Sequence, residues 1–339
     1  MTTKHSRPFH TSLLAITLCV LALPTAPAAA ADTTKTADQC MLELIANGKD
    51  DLTLGEIKEQ CSEPVSQAPA GKAQKRIIQE REASERPFSI LAHKPNYMLA
   101  AAYNFEGWDP SLYQEAGNDP TYTNEDVEAQ FQISLKVPLA RNLFGNRMDI
   151  YAAYTNRSFW QMYNSDFSEP FRETNHEPEF WFQFRNTWSP FGFTNAVNAF
   201  GFVHQSNGRA GVLSRSWNRV YANFIFEKDN FALGFKPWIW ISKDKTISDN
   251  PDITDFLGHG EFRATWERSD HVVSMMLRNQ LESGFDKGAV ELSWSIPVFN
   301  YKPLKGYIQY FYGYGESLID YNRKVNRIGV GISITDWID

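Results

Sequence analysis

The sequence lacks three features that would place it in common classes of protein. It has three cysteines in 339 residues, too few for a disulfide-based scaffold. It has no basic tract, and its net charge of −7 argues against nucleic acid as a partner. Beyond residue 31, no segment approaches the roughly 18 consecutive apolar residues that a transmembrane helix needs. What remains is an aromatic-rich chain, 14% Phe, Trp and Tyr, with a mean hydropathy of −0.42.

The N-terminus predicts export. Lys4 and Arg7 precede an apolar run at residues 13–23 (LLAITLCVLAL), and a stretch of small residues follows and ends at Ala31. A basic start, a short apolar segment and a small-residue end form a secretory signal peptide. We therefore assign residues 1–31 to a signal that is cleaved after export.

Residues 32–91 differ in composition from the rest and predict an N-terminal periplasmic extension with short helices and a linker. Cys40 and Cys61 lie in it. In an exported chain a bridge between them is favoured over two buried thiols or a bond to a partner. The charged segment at residues 76–86 predicts a solvated helix or a disordered stretch. For the region as a whole, a plug-like element is the alternative to a periplasmic extension. We assign no catalytic role to the extension.

From Tyr97 onward the sequence has the period of two that is typical of β-strands. In residues 128–137 (EAQFQISLKV), apolar side chains such as Ile133 alternate with polar ones such as Gln132. Such segments, read with their turn signals, predict about twelve strands. The strands begin near His93, Asp126, Met148, Glu177, Asn195, Trp217, Asn230, Gly258, His271, Gly288, Lys305 and Asn326.

The connections between these strands alternate between tight turns, as at Asp229–Asn230, and longer polar loops, as at residues 163–175. This alternation is typical of outer-membrane barrels. We therefore predict an all-β fold: an antiparallel transmembrane β-barrel of about 12 strands at residues 92–339, in a bacterial outer membrane. A soluble β-sandwich is the alternative that the pattern leaves open.

The most informative stretch is residues 202–221, FVHQSNGRAGVLSRSWNRVY. His204 and Ser206 are two residues apart and would share one face of a strand. If the chain reverses after Ser206, Asn218 can return on the neighbouring strand beside His204. A histidine and a serine on one strand face are most often only polar neighbours, so this pair is weak evidence by itself.

Strand parity adds to that evidence. The alternate residues of the return strand include Arg219 and Glu227, and charged side chains must face the barrel lumen because they are costly in lipid. His204, Ser206 and Asn218 would then face outward. There a serine nucleophile, a histidine base and an asparagine that orients the imidazole could attack the ester bonds of membrane glycerophospholipids.

The turn at residues 207–216 offers backbone carbonyls and the hydroxyls of Ser214 and Ser216. Hard oxygen ligands of this kind suit Ca²⁺, which could stabilise the oxyanion of such a reaction. The alternative is that these serines only cap the backbone of the turn.

The motif HQSNGR followed by SRSWNR resembles the outer-membrane phospholipase A family. The resemblance extends to four further segments and covers residues 86–339. The segments are SEPFRETNHEP at 168–178, residues 227–238 with their KPW, DNPDIT at 249–254 and GYGESLIDYN at 313–322.

This resemblance implies a twelve-stranded barrel that hydrolyses the sn-1 and sn-2 acyl esters of glycerophospholipids, requires Ca²⁺ and is active as a homodimer. Position by position, it implies that Ser206 is the nucleophile, His204 the base and Asn218 the orienting residue. The family's interface glutamine falls on Asn156.

The resemblance also implies metal ligands. The calcium site of the active dimer would use the carbonyl of Arg209, the hydroxyl of Ser214 and, from the partner subunit, the hydroxyl of Ser168. A second site in the family pairs a turn aspartate with one that falls on Asp249, but the turn position is Gly211 in this sequence.

Three other functions are compatible with part of this evidence. The chain could be a non-catalytic barrel such as a porin or a scaffold, in which the three polar residues are incidental. It could be a lipid A deacylase, although that would not explain SRSWNR or DNPDIT. A soluble secreted esterase is the third.

Overall fold

A computed structural model describes residues 71–86, 89–185, 188–241, 248–279, 284, 286–298, 301 and 303–337. The predicted signal peptide, Cys40 and Cys61 lie outside the described residues. The assignment of residues 1–31 and 32–91 as separate segments therefore stays a prediction.

The chain folds as a closed antiparallel barrel of twelve strands, as predicted. Each strand pairs with the next along the chain from β2 to β13, and β13 pairs with β2 to close the sheet. A two-residue strand, β1, adds to β3 outside this ring. The strands are β1 (Leu91–Ala92), β2 (Asn96–Asn104), β3 (Val127–Asn142), β4 (Met148–Trp160), β5 (Phe171–Phe184), β6 (Thr194–Ser206), β7 (Ser216–Lys228), β8 (Phe231–Trp240), β9 (Gly260–Arg268), β10 (His271–Asn279), β11 (Gly288–Pro297), β12 (Lys305–Tyr314) and β13 (Lys324–Thr335).

The polarity of the barrel wall is the reverse of that in a soluble protein. On β3 the polar residues Gln130, Gln132 and Ser134 are buried inside the barrel, whereas Ile133 is 52% exposed and Leu135 is 42% exposed on the outside. A wall with this polarity fits lipid outside and a polar lumen within. The soluble sandwich is thereby ruled out.

The predicted strand starts agree with the structure to within three residues except at β5. That strand begins at Phe171, six residues before the predicted Glu177. The reason is that the inward residues Glu173 and Asn175 are polar and buried, while outward Thr174 and His176 are polar too. Because both faces are polar here, apolar and polar residues do not alternate, and the sequence pattern does not reveal the first residues of this strand.

One end of the barrel carries short turns and the other carries long loops. The predicted tight turns are present: Asp229 has φ 53°, and Ser269 and Asp270 have φ 52° and 64°. The described helices are α1 (Lys72–Ala83), α2 (Ser111–Gly117) and α3 (Ile253–Leu257), of which α2 and α3 lie at the long-loop end. The turn at Leu143–Asn146, in which Phe144 and Gly145 have φ of 51° and 68°, belongs to the short-turn end. No described helix has the length and apolar character needed to cross a membrane.

The charged N-terminal segment forms the helix α1 (Lys72–Ala83), which lies inside the barrel at the short-turn end. Lys72 pairs with Glu267 of β9 at 2.7 Å, and Glu80 pairs with Lys136 of β3 at 2.8 Å. Strands six positions apart face each other across a twelve-stranded barrel, so these ion pairs hold α1 across the lumen. Of the two alternatives for residues 76–86, a helix forms, but it packs against the barrel strands instead of standing in solvent.

The lumen between α1 and the long loops contains a cavity of about 320 Å³. Its wall combines charged side chains with aromatic ones such as Trp217 and Trp238. The lining residues include Lys94, Arg157, Glu177, Glu179, Arg219, Lys236, Glu261, Arg263, Arg278 and Glu291.

A substitution at Gly331 tests how closely the backbones of β13 and β2 pack where the barrel closes. Gly331 lies at a bulge where β13 meets β2, and a Cβ built on it would stand 1.9 Å from the carbonyl oxygen of Met98. We expect Gly331→Ala to lower the free energy of unfolding by about 1–3 kcal/mol, because backbone must move to admit the methyl group. Equilibrium unfolding in urea from lipid vesicles measures this.

The matched control is Gly234→Ala on β8, where the same Cβ would meet Arg263 at an ordinary 3.6 Å. Equal losses for the two variants would show that the closing seam is no more crowded than the rest of the wall.

Candidate active site

Strands β6 and β7 bring His204 and Asn218 side by side. The two residues are register partners, as are Ser206 and Ser216. The His204 Nδ1 and the Asn218 Oδ1 are 2.8 Å apart. An amide oxygen can only accept, so Nδ1 carries the proton and Nε2 has the free lone pair.

The pair lies on the outer face of the wall. Around it Phe200, Phe202 and Val220 are 50%, 42% and 45% exposed. The alternate residues of the same strands, Val203 and Tyr221, are 1% and 4% exposed and face the lumen. The parity predicted from the sequence therefore agrees with the structure.

Ser206 ends β6 on the same face as His204 and is half-buried. Within the described residues its hydroxyl makes no hydrogen bond to His204. Such bonds are often long in enzymes without substrate and shorten when substrate binds. On its other side Ser206 is the register partner of His176 on β5, whose Nδ1 is 2.6 Å from the hydroxyl of Tyr154.

Two of the predicted metal ligands are in contact. The hydroxyl of Ser214 donates to Asp249 at 2.7 Å, which joins the turn after β6 to the loop after β8. Arg209 lies in the same turn as Ser214, and its guanidinium donates at 2.9 Å to the carbonyls of Phe171 and Arg172. The Ser214 hydroxyl, the Asp249 carboxylate and the backbone carbonyl of Arg209 present oxygen atoms, which Ca²⁺ prefers as ligands.

Ser168 is not brought to these residues within the described part of the chain. It lies exposed in the loop between β4 and β5, with φ 58°. No cluster of three His, Cys, Asp or Glu side chains suited to a metal occurs among the described residues. A complete ligand set from acidic side chains of one subunit is therefore absent from that region.

The loop that carries Asp249 is fixed to the barrel by its neighbours. Asn250 is fully buried, and its Oδ1 accepts from the backbone N–H of Ser216 at 3.0 Å. Asp252 accepts a hydrogen bond from the hydroxyl of Tyr321. Burial and this hydrogen bond raise the pKa of Tyr321, so the phenol stays a neutral donor at physiological pH.

Sequence reasoning missed the residues that hold this region together. Asn250 is one, and Asn207 and Glu173 are two others whose side chains bond to each other at 3.3 Å. Asn207 was detectable, because Asn-Gly after a strand is a turn signal in which the asparagine side chain bonds to nearby backbone. A buried Glu173 left no such signal.

Known proteins identify the family. Residues 73–334 match the family model described as phospholipase A1. The chain belongs to the phospholipase A1 family. Members of this family are carboxylic ester hydrolases, so the chain is an enzyme of that class.

Two curated phospholipase A1 proteins illustrate the similarity. The chain is 34% identical over 281 residues to the protein of Escherichia coli K12, covering 82% of this chain and 92% of that one. It is 35% identical over 254 residues to the protein of Klebsiella pneumoniae, covering 74% and 84%.

A solved structure of the family has the same fold. The outer-membrane phospholipase of Salmonella typhi, a dimer with bound calcium, is 33% identical and superposes with a TM-score of 0.70 over 77% of this chain and 97% of that chain. The chain is accordingly an outer-membrane β-barrel, and calcium and dimerisation are observed in a phospholipase A1 relative.

Asn250 offers a test of how the loop is held. We expect Asn250→Ala to leave the Ser216 N–H without its acceptor, which lowers the free energy of unfolding by about 1–3 kcal/mol. Residues 248–258 should then open locally more often. Hydrogen–deuterium exchange followed by mass spectrometry should show exchange in that peptide faster by about tenfold or more.

Ser248→Ala is the control, since the Ser248 hydroxyl accepts only a weak 3.4 Å bond from the backbone N–H of Asn250. Exchange that is equally fast in both variants would mean that Asn250 does not anchor the loop.

Proposed function

We propose that this chain hydrolyses the sn-1 and sn-2 acyl esters of glycerophospholipids from the outer wall of the barrel, with Ser206 as nucleophile, His204 as base and Asn218 as orienting residue. The observation that carries the proposal is the 2.8 Å hydrogen bond between His204 and Asn218 on the lipid-facing side. A polar pair in that position is costly unless it has a use.

The proton moves within this group of residues. Because Nδ1–H is donated to Asn218, the Nε2 lone pair of His204 accepts the proton of Ser206 as the serine oxygen attacks the ester carbonyl. The imidazolium then returns that proton to the leaving alcohol, a lysophospholipid. Water, activated by the same histidine, hydrolyses the acyl-serine and releases the fatty acid.

Asparagine suits this wall better than aspartate. It holds the imidazole tautomer as an aspartate would, but without placing a buried negative charge against lipid. The trade-off is a weaker stabilisation of the imidazolium, since the amide oxygen carries only a partial charge.

The residues beside Ser206 fit a calcium ion. The carbonyl of Arg209, the hydroxyl of Ser214 and the carboxylate of Asp249 are oxygen donors, and the last two are 2.7 Å apart, close enough to share one ion. When bound, Ca²⁺ would supply positive charge for the oxyanion of the tetrahedral intermediate. Since position 211 is glycine, Asp249 would join this site instead of forming a second one.

A fourth ligand, the hydroxyl of Ser168, would come from a partner subunit in a homodimer. Within one chain it makes no contact with Ser214 or Asp249 among the described residues, yet its loop opens on the same end of the barrel. Completion of the site only on pairing would keep the enzyme silent as a monomer in an intact membrane. Phospholipid that reaches the outer leaflet would supply substrate and favour the dimer.

An open porin is disfavoured by the lumen, which α1 crosses and ion pairs line. A lipid A deacylase and a soluble esterase are disfavoured by family membership and by the outward apolar wall. No observation in the described region favours a second function.

The proposed catalytic residues are tested by hydrolysis of phosphatidylethanolamine by the detergent-solubilised protein with Ca²⁺. We expect Ser206→Ala to reduce kcat by about 10³-fold or more, because the nucleophile is lost. Asn218→Ala should reduce it by about 10²-fold or more through loss of the imidazole tautomer. Ser274→Ala, on the inner face of β10, is the matched control and should retain full activity. Unchanged hydrolysis by Ser206→Ala would overturn the proposal.

Subunit mixing tests the origin of Ser168. At limiting Ca²⁺, both Ser168→Ala and Ser206→Ala should be poorly active alone. A mixed dimer restores one complete site, because Ser206 of the first variant meets an intact Ser168 from the second. We expect mixing to recover about half of the activity per mixed dimer, and EDTA to abolish it. Activity that stays at the level of the separate variants would place Ser168 in its own subunit's site or outside any site.

A further inference from the structure

Asn207, the residue after Ser206, holds the turn at residues 207–215 closed with its side chain. It is 5% exposed. Its Oδ1 accepts from the backbone N–H groups of Arg209 at 3.3 Å and Arg215 at 3.0 Å. Its Nδ2 donates to the carbonyl of Leu213 at 2.7 Å. One amide thus replaces the strand pairing that the turn lacks.

These contacts bracket the two ligands that the turn would give to calcium. The N–H of Arg209 is held, which fixes the peptide group between Gly208 and Arg209, immediately before the Arg209 carbonyl. Ser214 lies between Leu213 and Arg215, and the Asn207 side chain bonds to the backbone on both sides of it. The Asn207 side chain is therefore a direct constraint on the segment that joins the Arg209 carbonyl to the Ser214 hydroxyl.

Glu173 of β5 lies beneath the turn and holds the side chain of Asn207 in place. Its side chain is fully buried, and its Oε2 is 3.3 Å from Nδ2 of Asn207 and 3.7 Å from Nε of Arg209. Its Oε1 accepts from the N–H of Ile319 at 3.2 Å. Strand, turn and the β12–β13 loop are thus joined at one carboxylate.

Without this anchor the turn keeps few backbone bonds. Gly208 and Gly211 have φ of 65° and 63°. The N–H of Asn207 bonds to the carbonyl of Arg215 at 3.1 Å, and the N–H of Ser214 bonds to the carbonyl of Gly211 at 3.0 Å. A turn of this length with two glycines would sample many conformations, and ordering it on binding would reduce affinity for the ion.

We propose that Asn207 is a positioning residue that preorganises the calcium ligands of the turn and so sets the calcium affinity of the site. This inference rests on the proposed function. It assigns to Asn207 no contact with substrate and no part in the proton transfer.

The test uses the full-length protein in detergent and two readouts: hydrolysis as a function of Ca²⁺, and Ca²⁺ binding by isothermal titration calorimetry with Ser206 intact. For Asn207→Ala we expect the Ca²⁺ concentration for half-maximal rate, and the Kd for Ca²⁺, to rise by about tenfold or more. The kcat at saturating Ca²⁺ should stay within about threefold of wild type, because bound ion restores the geometry.

Asn104→Ala is the matched control. Asn104 is also buried, at 1% exposure, and closes another turn at the same end of the barrel. Its Nδ2 donates to the carbonyl of Gly107 at 2.6 Å, and its Oδ1 accepts from the N–H of Glu106 at 3.3 Å. A general loosening of the outer loops would raise the Ca²⁺ requirement in both variants; positioning by Asn207 raises it in one.

Exchanging the amide of Asn207 and the carboxylate of Glu173 tests whether the contact between the two side chains sets the calcium affinity. Asn207→Asp removes the donor to Leu213 and places a second carboxylate against Glu173, so its Ca²⁺ affinity should fall at least as far as that of Asn207→Ala. Adding Glu173→Gln restores an amide–carboxylate pair in reverse order. The double variant should therefore bind Ca²⁺ more tightly than Asn207→Asp alone.

The outcomes distinguish this inference from the function on which it rests. If the wild type hydrolyses phospholipid with Ca²⁺ while Asn207→Ala keeps the same Ca²⁺ dependence, or loses only kcat, the positioning role is wrong. If the wild type neither hydrolyses phospholipid nor binds Ca²⁺, the proposed function itself is wrong.

Discussion

The structure depends on the closure of its sheet. Hydrocarbon offers no partner to a backbone N–H or C=O, so a spanning sheet must leave no free edge. Pairing of β13 with β2 meets that demand. Closure also gives every strand one lipid-facing side and one lumen-facing side, and this is why alternate residues such as Phe202 and Val203 have opposite surroundings.

The interior that closure creates is held together by charge instead of apolar packing alone. Arg172, 1% exposed, pairs with Glu128 on β3 and with Asp320 in the β12–β13 loop. Arg327 pairs with Glu316 of that loop. Buried pairs of this kind contribute little net stability, but breaking one leaves a charge unpaired at high cost, so they hold the loops in one arrangement. The outer end of the barrel is thus a rigid support for the turn and loop of the site.

The site and the cavity lie on opposite sides of the same wall. The cavity of about 320 Å³ is in the lumen, lined by Gln205 and Arg219, whereas their sequence neighbours His204 and Asn218 face outward. The cavity does not contain the proposed catalytic residues because the substrate of the proposed reaction, a phospholipid, lies in the surrounding membrane.

The sequence by itself determined the number of strands, the outward parity of His204, Ser206 and Asn218, and the chemistry that these residues imply, because all of these follow from local alternation and residue type. Only the tertiary structure decided that α1 crosses the lumen, that β5 begins at Phe171, that Ser214 meets Asp249 and that Asn207 rests on Glu173. The start of β5 is hidden because both faces of its first residues are polar, and each of the other three features is a contact between residues distant in sequence, which no local pattern records. The position of Ser168 relative to a partner's calcium ligands is farther still from the sequence, since it depends on how two copies of the chain pair.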